Sequence, residues 1–164
     1  MARAKEHFDA LIVGAGPAGL GAAIRIKQLC KAAGRDMRVG ILEKGSRVGA
    51  HVISGCVLDP IAIDELLPAW RTEGPPKTRV TRHEFHILTG AETPRLPLPR
   101  PPPIKQRSRG VRGGDTFIVS LGDLCGWMGE QAASLGVEVL EGFGANEVLY
   151  DDSRAAVAGV ATKV

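Results

Sequence analysis

The chain has 164 residues, of which 44% are hydrophobic and 24% charged, and a formal net charge of +3; these values are typical of a soluble globular protein with one domain or slightly more. Its three cysteines (Cys30, Cys56 and Cys125) form no CxxC or CxxH pair, which argues against a disulfide scaffold, a zinc site or an iron–sulfur site within this chain. The longest stretch without a charge, residues 10–24, contains four glycines and a proline, so it is too short and too interrupted to span a bilayer and a poor signal peptide. No transit peptide is evident.

The N-terminal segment has the pattern of a βαβ unit. Residues 8–13 (FDALIV) form a short apolar run that predicts a strand buried on both faces of a parallel sheet. Apolar and small residues then recur at helical spacing from Pro17 to Gly34, a glycine suited to end a helix. Residues 38–43 (RVGILE) predict a second strand.

The middle of the chain is basic and rich in proline. Asp59 and Pro60 predict the start of a short helix that Pro68 ends. From Arg71 to Arg112 there are ten Lys/Arg against three Asp/Glu, and eight of the eleven prolines fall between positions 75 and 103. We expect residues 71–115 to be mostly extended or loop, with one strand within 80–88.

The C-terminal part is again regular. Residues 116–119 predict a strand, and Ser120 with Asp123 predicts the capped start of a helix that Gly136 ends. A third parallel strand is expected at 137–140 and a β-hairpin at 146–162. The predicted organisation is therefore a dinucleotide-binding βαβ unit with its following loop and helix (1–70), a basic inserted segment (71–115), and a third segment of the same domain (116–164).

The glycines between the first strand and helix indicate a phosphate-binding turn. Residues 14–19 (GAGPAG) fit GxGxxG and lie in the strand–turn–helix context that the motif requires. Gly14 would permit the tight turn, Gly16 would let a pyrophosphate approach the backbone, and Gly19 would let the helix pack closely. The N-terminus of the helix would present free N–H groups to the phosphates.

Glu43 closes the second predicted strand, 24 residues after Gly19. A carboxylate there can accept hydrogen bonds from both ribose hydroxyls of an adenosine and would repel a 2′-phosphate, which argues against NADP. The glycines and serines of residues 45–55 predict a flexible polar loop after Glu43, which suits FAD better than NAD.

Five stretches of the sequence resemble one flavoprotein family. They are DALIVGAGPAGLGAAIRIKQL, VGILEKGSRVGAHVISGCVLDP, AIDELLPAW, RLPLPRPP, and TFIVSLGDLCGWMGEQAASLGVEVLEGFGANEVLYDD. The first two resemble the FAD-binding start of glutathione-reductase-type flavoproteins, and all five together resemble the N-terminal part of the electron-transferring-flavoprotein:ubiquinone oxidoreductases (electron transfer flavoprotein dehydrogenases). The resemblance implies an α/β, Rossmann-like FAD-binding domain with a parallel sheet and a β-hairpin, incomplete in this chain.

The resemblance also implies a function and a set of site residues. Members of the family use FAD, a [4Fe–4S] cluster and ubiquinone, and they pass electrons from reduced electron transfer flavoprotein to ubiquinone at the membrane. In eukaryotic relatives this is the mitochondrial inner membrane, and the expected location is peripheral to the inner or cytoplasmic membrane. The cofactor-binding residues implied here are Gly14, Gly16, Pro17, Ala18, Gly19, Glu43, Lys44, Gly49, His51, Ser54, Gly144 and Ala145. No catalytic residue and no metal ligand is expected among these 164 residues.

The sequence departs from the family in two respects. Four basic residues between positions 104 and 115 replace the family's short Asn/His/Gly stretch, and we expect an exposed loop there, with a partner or anionic lipid as the alternative. The chain is also shorter than family members and lacks the cluster cysteines and quinone-site elements. We therefore expect the oxidoreductase activity of a longer parent protein, with weak FAD binding and no ubiquinone reduction by this chain alone.

Two alternatives remain open from the residues. One is a geranylgeranyl-reductase-like or monooxygenase-type FAD oxidoreductase with the same nucleotide fold. The other is a non-catalytic nucleotide-binding module whose basic, proline-rich middle contacts a partner. A nucleic-acid partner is not expected, because prolines interrupt the basic stretch and Phe85 is its only interior aromatic residue.

Overall fold

The computed structural model describes residues 5–53, 55–81 and 116–162. Its helices are α1 (Pro17–Ala32), α2 (Ile61–Leu66), α3 (Trp70–Glu73) and α4 (Leu121–Ser134). Its strands are β1 (Ala10–Val13), β2 (Val39–Glu43), β3 (Gly55–Leu58), β4 (Lys77–Arg79), β5 (Phe117–Ser120), β6 (Val137–Glu141), β7 (Ala145–Tyr150) and β8 (Val157–Thr162).

A parallel sheet in the order β1-β2-β6 confirms the predicted βαβ unit and the third parallel strand. Val13 of β1 pairs with Leu42 of β2, and Leu42 in turn pairs with Leu140 of β6. Helices α1 and α4 contact each other and this sheet. Because parallel strands run in one direction, their carboxyl ends meet at one edge, where the predicted site residues lie.

The core lies between the parallel sheet and the two long helices. It includes Leu20 and Ile24 of α1, Val39 and Ile41 of β2, and Leu124 of α4, all of which are buried. Residues 39–42 are buried without interruption, as expected for a strand paired on both sides. The prediction that the first strand is buried on both faces is wrong, because the first three residues of β1 are only half-buried and Val13 is 58% exposed.

The predicted flexible loop at residues 45–55 ends earlier than expected. Residues 55–58 form β3, which pairs antiparallel with β5, and β4 pairs with the other side of β5. After position 71, β4 agrees with the expectation of a mostly extended or loop segment, whereas α3 is a short helix that begins at the fully buried Trp70. The strand expected within 80–88 lies almost entirely outside the described residues, as does the basic stretch at 104–115.

The remaining helix ends and the hairpin follow the predicted local signals. Ser120 Oγ accepts from the backbone N–H of Asp123 at 3.3 Å, which confirms the predicted cap of α4. The Asp59 carboxylate accepts from the N–H of Ile61 at 3.2 Å at the start of α2. Strands β7 and β8 form the predicted hairpin, and the chain turns between them with Arg154 at a φ of 57°.

Candidate functional site

The loop between β1 and α1 is a tight turn whose helix N-terminus no side chain caps. Gly14 has a φ of 99°, in the left-handed region, and its N–H donates to the carbonyl oxygen of Leu42 at 2.7 Å. Gly16 is the N-cap of α1, with no side-chain cap hydrogen bond and no acidic residue in the first turn. Pro17 and Ala18 follow as exposed residues of that turn. The first N–H groups of α1 are therefore available to an anion.

The second and third glycines of the motif differ in what surrounds them. A Cβ added to Gly16 would meet no atom within 4 Å, so the space beside its backbone is open. A Cβ added to Gly19 would lie 2.0 Å from the carbonyl oxygen of Gly14 and 3.2 Å from Ile12 Cγ2. Gly19 is thus needed for close packing within the protein, whereas Gly16 leaves room that a pyrophosphate could fill.

Glu43 lies at the carboxyl end of β2 and is held by two backbone N–H groups. Ala15 donates to its Oε2 at 2.9 Å, and Gly45 donates to its Oε1 at 2.6 Å. An ionised carboxylate can accept about four hydrogen bonds, so each oxygen keeps one acceptor position. The side chain is therefore oriented beside the glycine turn and is still able to accept from the two hydroxyls of a ribose.

The end of β6 joins the same edge of the sheet. Phe143 donates its N–H to the carbonyl oxygen of Glu43 at 2.9 Å, and Gly142 donates to that of Gly45 at 2.8 Å. Gly144 lies next to Lys44, whose Cβ would be 3.6 Å from a Cβ added to the glycine. The structure therefore brings together the glycine turn, residues 43–45 and residues 142–145. Ala145 is the first residue of β7 and is exposed.

The other predicted site residues lie further along the loop after β2. Gly49 has a φ of 81°, and a Cβ there would lie 2.4 Å from the carbonyl oxygen of Gly122 at the start of α4. Its packing within the protein thus explains a glycine at that position, and a cofactor contact is not needed to do so. Lys44 and His51 are exposed, and Ser54 lies outside the described residues.

Three residues of this network were absent from the sequence prediction. Ala15 and Gly45 orient Glu43 through backbone N–H groups, which any residue type except proline supplies and which therefore leave no sequence signal. Glu141 pairs in register with Glu43 and accepts from the N–H of Val48 at 2.7 Å. Its proximity to Glu43 depends on the pairing of β2 with β6, which the sequence alone does not specify.

The three cysteines are buried or half-buried, as is common for structural thiols. Cys30 and Cys125 are buried and Cys56 is half-buried. Burial raises the pKa of the thiols of Cys56 and Cys125 above the usual range, which favours the unreactive protonated form. Across the part of the chain that the structure describes, no group of three or more His, Cys, Asp and Glu residues could hold a metal ion.

Comparison with known proteins places the chain among nucleotide-binding domains. The family model described as "NAD(P)-binding Rossmann-like domain" matches residues 12–95. Mitochondrial electron transfer flavoprotein-ubiquinone oxidoreductase of Dictyostelium discoideum is 48% identical over 161 residues, which are 98% of this chain and 25% of that protein. The protein of the same name from Mus musculus is 49% identical over 163 residues, 99% of this chain and 25% of that protein. The chain therefore spans about a quarter of the length of these curated relatives.

Solved structures with low sequence identity share the fold. The myxobacterial chondrochloren halogenase CndH, described as a variant of FAD-dependent halogenases, has a TM-score of 0.61 at 20% identity and covers 97% of this chain and 33% of that one. A geranylgeranyl bacteriochlorophyll reductase-like protein from Thermoplasma acidophilum has a TM-score of 0.57 at 16% identity over 94% of this chain and 34% of that one. These likenesses confirm the predicted Rossmann-like fold. Among the described helices, none is long and apolar enough to cross a membrane.

Proposed function

We propose that this chain binds the adenosine diphosphate half of FAD. It belongs to the NAD(P)-binding Rossmann-like domain family. In this proposal it is the FAD-binding part of an oxidoreductase that passes electrons from electron transfer flavoprotein to ubiquinone. The observation that carries this proposal is the network at the edge of the parallel sheet, where the uncapped turn of α1 lies beside the oriented carboxylate of Glu43. The 48–49% identity to proteins named for that electron transfer supports it over the geranylgeranyl-reductase-like alternative.

The glycine turn would hold the pyrophosphate. Gly14 and Gly16 would let the phosphates approach the backbone. The N–H groups of Ala18 and Gly19 would face the phosphates at the N-terminus of α1, which is the positive end of the helix dipole. Glu43 would accept from the ribose hydroxyls with the acceptor positions that Ala15 and Gly45 leave free.

The adenine would lie against the backbone of residues 144–145, and Lys44, Gly49, His51 and Ser54 would line the rest of the cofactor. A negative charge at Glu43 would repel a 2′-phosphate, so we propose selectivity against nucleotides of the NADP type. FAD is proposed over NAD because a polar, glycine-containing loop follows Glu43 and provides backbone along which the longer cofactor could extend.

When bound, FAD supplies the capacity to accept and donate electrons. The residues of this chain would bind and orient the cofactor, and transfer of electrons alone requires no acid or base from the protein. We accordingly assign no catalytic residue, and His51 is proposed only as a neighbour of the cofactor.

The partners proposed are reduced electron transfer flavoprotein and ubiquinone, with a location peripheral to the inner or cytoplasmic membrane. The relatives named above are mitochondrial, which supports the mitochondrial inner membrane as the location in eukaryotes. The [4Fe–4S] cluster and the quinone site that the resemblance implies are proposed to lie outside these 164 residues.

A titration of FAD with the purified chain tests the proposal, and quenching of the flavin fluorescence measures the binding. We expect micromolar binding, competition by ADP, and binding of 2′-phospho-ADP at least about tenfold weaker than that of ADP, because one unfavourable charge contact costs about 1.4 kcal/mol or more.

Glu43→Gln tests the role of the carboxylate. The substitution should weaken FAD binding about tenfold, because a hydrogen bond to a charged acceptor contributes roughly 1.5–3 kcal/mol. Glu65→Gln is the matched control, since Glu65 is exposed on α2. A wild-type chain that binds neither FAD nor ADP would refute the proposal, and equal affinity in both variants would remove Glu43 from the site. In a protein that contains this chain, repeated turnover of reduced electron transfer flavoprotein should require both bound FAD and ubiquinone.

A further inference from the structure

Residues 45–52 belong to the connection between β2 and β3, and they are held on two sides although they contain no helix or strand. On one side it meets the end of β6, where Gly142 donates to the carbonyl oxygen of Gly45 at 2.8 Å. On the other side it meets α4, where the side chain of Val48 lies 3.3 Å from the position of a Cβ on Gly129. We call residues 45–52 the β2–β3 loop.

Among the described residues at the end of β6, Glu141 is the one whose side chain forms a hydrogen bond with this loop. Its Oε1 accepts from the backbone N–H of Val48 at 2.7 Å, across 93 residues of sequence. Val48 is thus attached twice, by its N–H to β6 and by its side chain to α4. Gly49, whose backbone approaches the carbonyl oxygen of Gly122, follows directly.

The same loop begins with the residue that orients Glu43. Gly45 donates to Glu43 Oε1 at 2.6 Å, and only two residues separate it from Val48. The path of residues 45–48 therefore determines where the Gly45 N–H points, and that N–H orients the Glu43 carboxylate together with the N–H of Ala15. Glu43 and Glu141 are also paired in register between β2 and β6, so a shift at the end of β6 would move both Glu43 and the anchor of Val48.

We propose that Glu141 is a positioning residue for the nucleotide site: by anchoring Val48 it holds the β2–β3 loop so that Gly45 directs Glu43 toward the ribose hydroxyls. This inference rests on the proposed function and adds to it a residue outside the ribose contact. Glu141 acts through its hydrogen bond to Val48. An uncharged acceptor at this position should therefore preserve most of the effect.

The test compares Glu141→Ala, which removes the acceptor, with Glu141→Gln, which removes the charge and keeps an acceptor oxygen. Glu130→Ala is the control, because Glu130 is exposed on α4 and carries the same charge. The purified chain is titrated by NMR with ADP and with 2′,3′-dideoxy-ADP, and the exchange rate of the Val48 amide proton is measured without nucleotide. The dideoxy nucleotide keeps both phosphates and the adenine but lacks the hydroxyls that Glu43 would bind.

For Glu141→Ala we expect the Val48 amide to exchange about fivefold to tenfold faster and ADP to bind about fivefold more weakly, the loss expected for one exposed hydrogen bond of roughly 1 kcal/mol. The variant's affinity for 2′,3′-dideoxy-ADP should stay within about twofold of the wild-type value, because this nucleotide lacks the hydroxyls that Glu43 would bind. Glu141→Gln and Glu130→Ala should resemble the wild type in all three measurements.

Two results would overturn the inference while leaving the proposed function intact. One is unchanged ADP affinity in Glu141→Ala despite faster exchange at Val48. The other is an equal loss of affinity for both nucleotides, which would mean that Glu141 supports the fold and does not act through Glu43. A wild-type chain that binds neither nucleotide would refute the proposed function itself, and this inference with it.

Discussion

The two glycines at positions 16 and 19 have opposite structural roles, although both belong to one motif. Gly16 has open space beside its backbone, and Gly19 has the carbonyl oxygen of Gly14 at 2.0 Å from where a Cβ would stand. A methyl group at position 16 should therefore leave the fold intact and occupy the volume proposed for the pyrophosphate. A methyl group at position 19 should force α1 away from the turn.

Substitution of each glycine by alanine separates these roles. We expect Gly16→Ala to change the free energy of unfolding by less than about 1 kcal/mol and to weaken FAD binding at least about tenfold. Gly19→Ala should lower the free energy of unfolding by roughly 1–3 kcal/mol, as overpacking does, and reduce FAD binding through the displaced helix. Urea denaturation and FAD titration of both variants measure the two effects. If Gly16→Ala binds FAD as the wild type does, the pyrophosphate does not lie beside Gly16.

At the level of single residues, the sequence predicted the features that depend on neighbouring positions in the chain. The turn at Gly14 and the close packing at Gly19 follow from a motif of six residues, and the structure has both. That Gly49 lies beside the cofactor stays a prediction, and the sequence did not indicate its close approach to Gly122, which lies 73 positions later in the chain. Contacts at that separation depend on how the elements pair, and a local pattern does not contain this information.

The short helices α2 and α3 are joined by a polar network around Asp64. Its Oδ1 accepts from Trp70 Nε1 at 2.6 Å, and the guanidinium of Arg71 donates to Oδ1 at 2.8 Å and to Oδ2 at 2.7 Å. The Arg71 hydrogen bonds, with the Trp70 hydrogen bond as a smaller cause, lower the pKa of Asp64 below its usual range against the opposing effect of desolvation. The sequence predicted α2 from its start and stop signals but missed α3, because the burial of Trp70 depends on the packing of Phe117 in β5.

Asp64→Asn should weaken this junction in a pH-dependent way. A carboxylate whose pKa is lower in the folded protein stabilises the fold above its unfolded pKa of about 3.9 and loses that contribution as the pH falls through the folded value. We expect the variant to be about 1 kcal/mol less stable than the wild type at pH ~7, a modest loss because the ion pair is partly exposed. The difference should shrink below pH ~4.

Chemical denaturation at neutral and acid pH measures this difference, with Glu65→Gln as the control on the neighbouring residue. A stability difference that stays constant across the acid range would show that the Arg71 and Trp70 hydrogen bonds do not depend on the charge of Asp64.

For the molecule as a whole, the sequence predicted most elements but not the second sheet. Strand β3 pairs with β5 across 59 to 65 residues of sequence and β4 pairs with β5 across 38 to 42, and two of the three strands carry no alternating apolar pattern of useful length. Lys77–Arg79 is too short and too polar to be recognised as a strand without its partner β5. In the parallel sheet, by contrast, uniform burial of β2 produces an apolar run that is visible in the sequence.

The two kinds of strand should also differ in stability, and hydrogen exchange can measure this. Residues 39–42 of β2 are buried and lie between β1 and β6, so their amides should exchange only when the protein unfolds globally. All residues of β7 are exposed, and β7 pairs with β8 alone within the described part of the chain. Isolated two-stranded hairpins are marginally stable in water, so β7 and β8 should open locally. Their amides should exchange at least about 100-fold faster than those of β2, equivalent to roughly 3 kcal/mol.

Exchange from the hairpin as slow as from β2 would contradict this distribution of stability, since it would require that the exposed Val148, Tyr150 and Val157 be covered in solution. Repeating the measurement at several protein concentrations distinguishes the causes of such a result. Protection that rises with concentration would come from a second copy of the chain, because association depends on concentration. Protection independent of concentration would come from contacts within the chain. In the expected case, the hairpin exchanges fast at every concentration. The free energy that holds the glycine turn and Glu43 in place then comes from the parallel sheet with α1 and α4, and local opening of the hairpin would leave the turn and Glu43 in place.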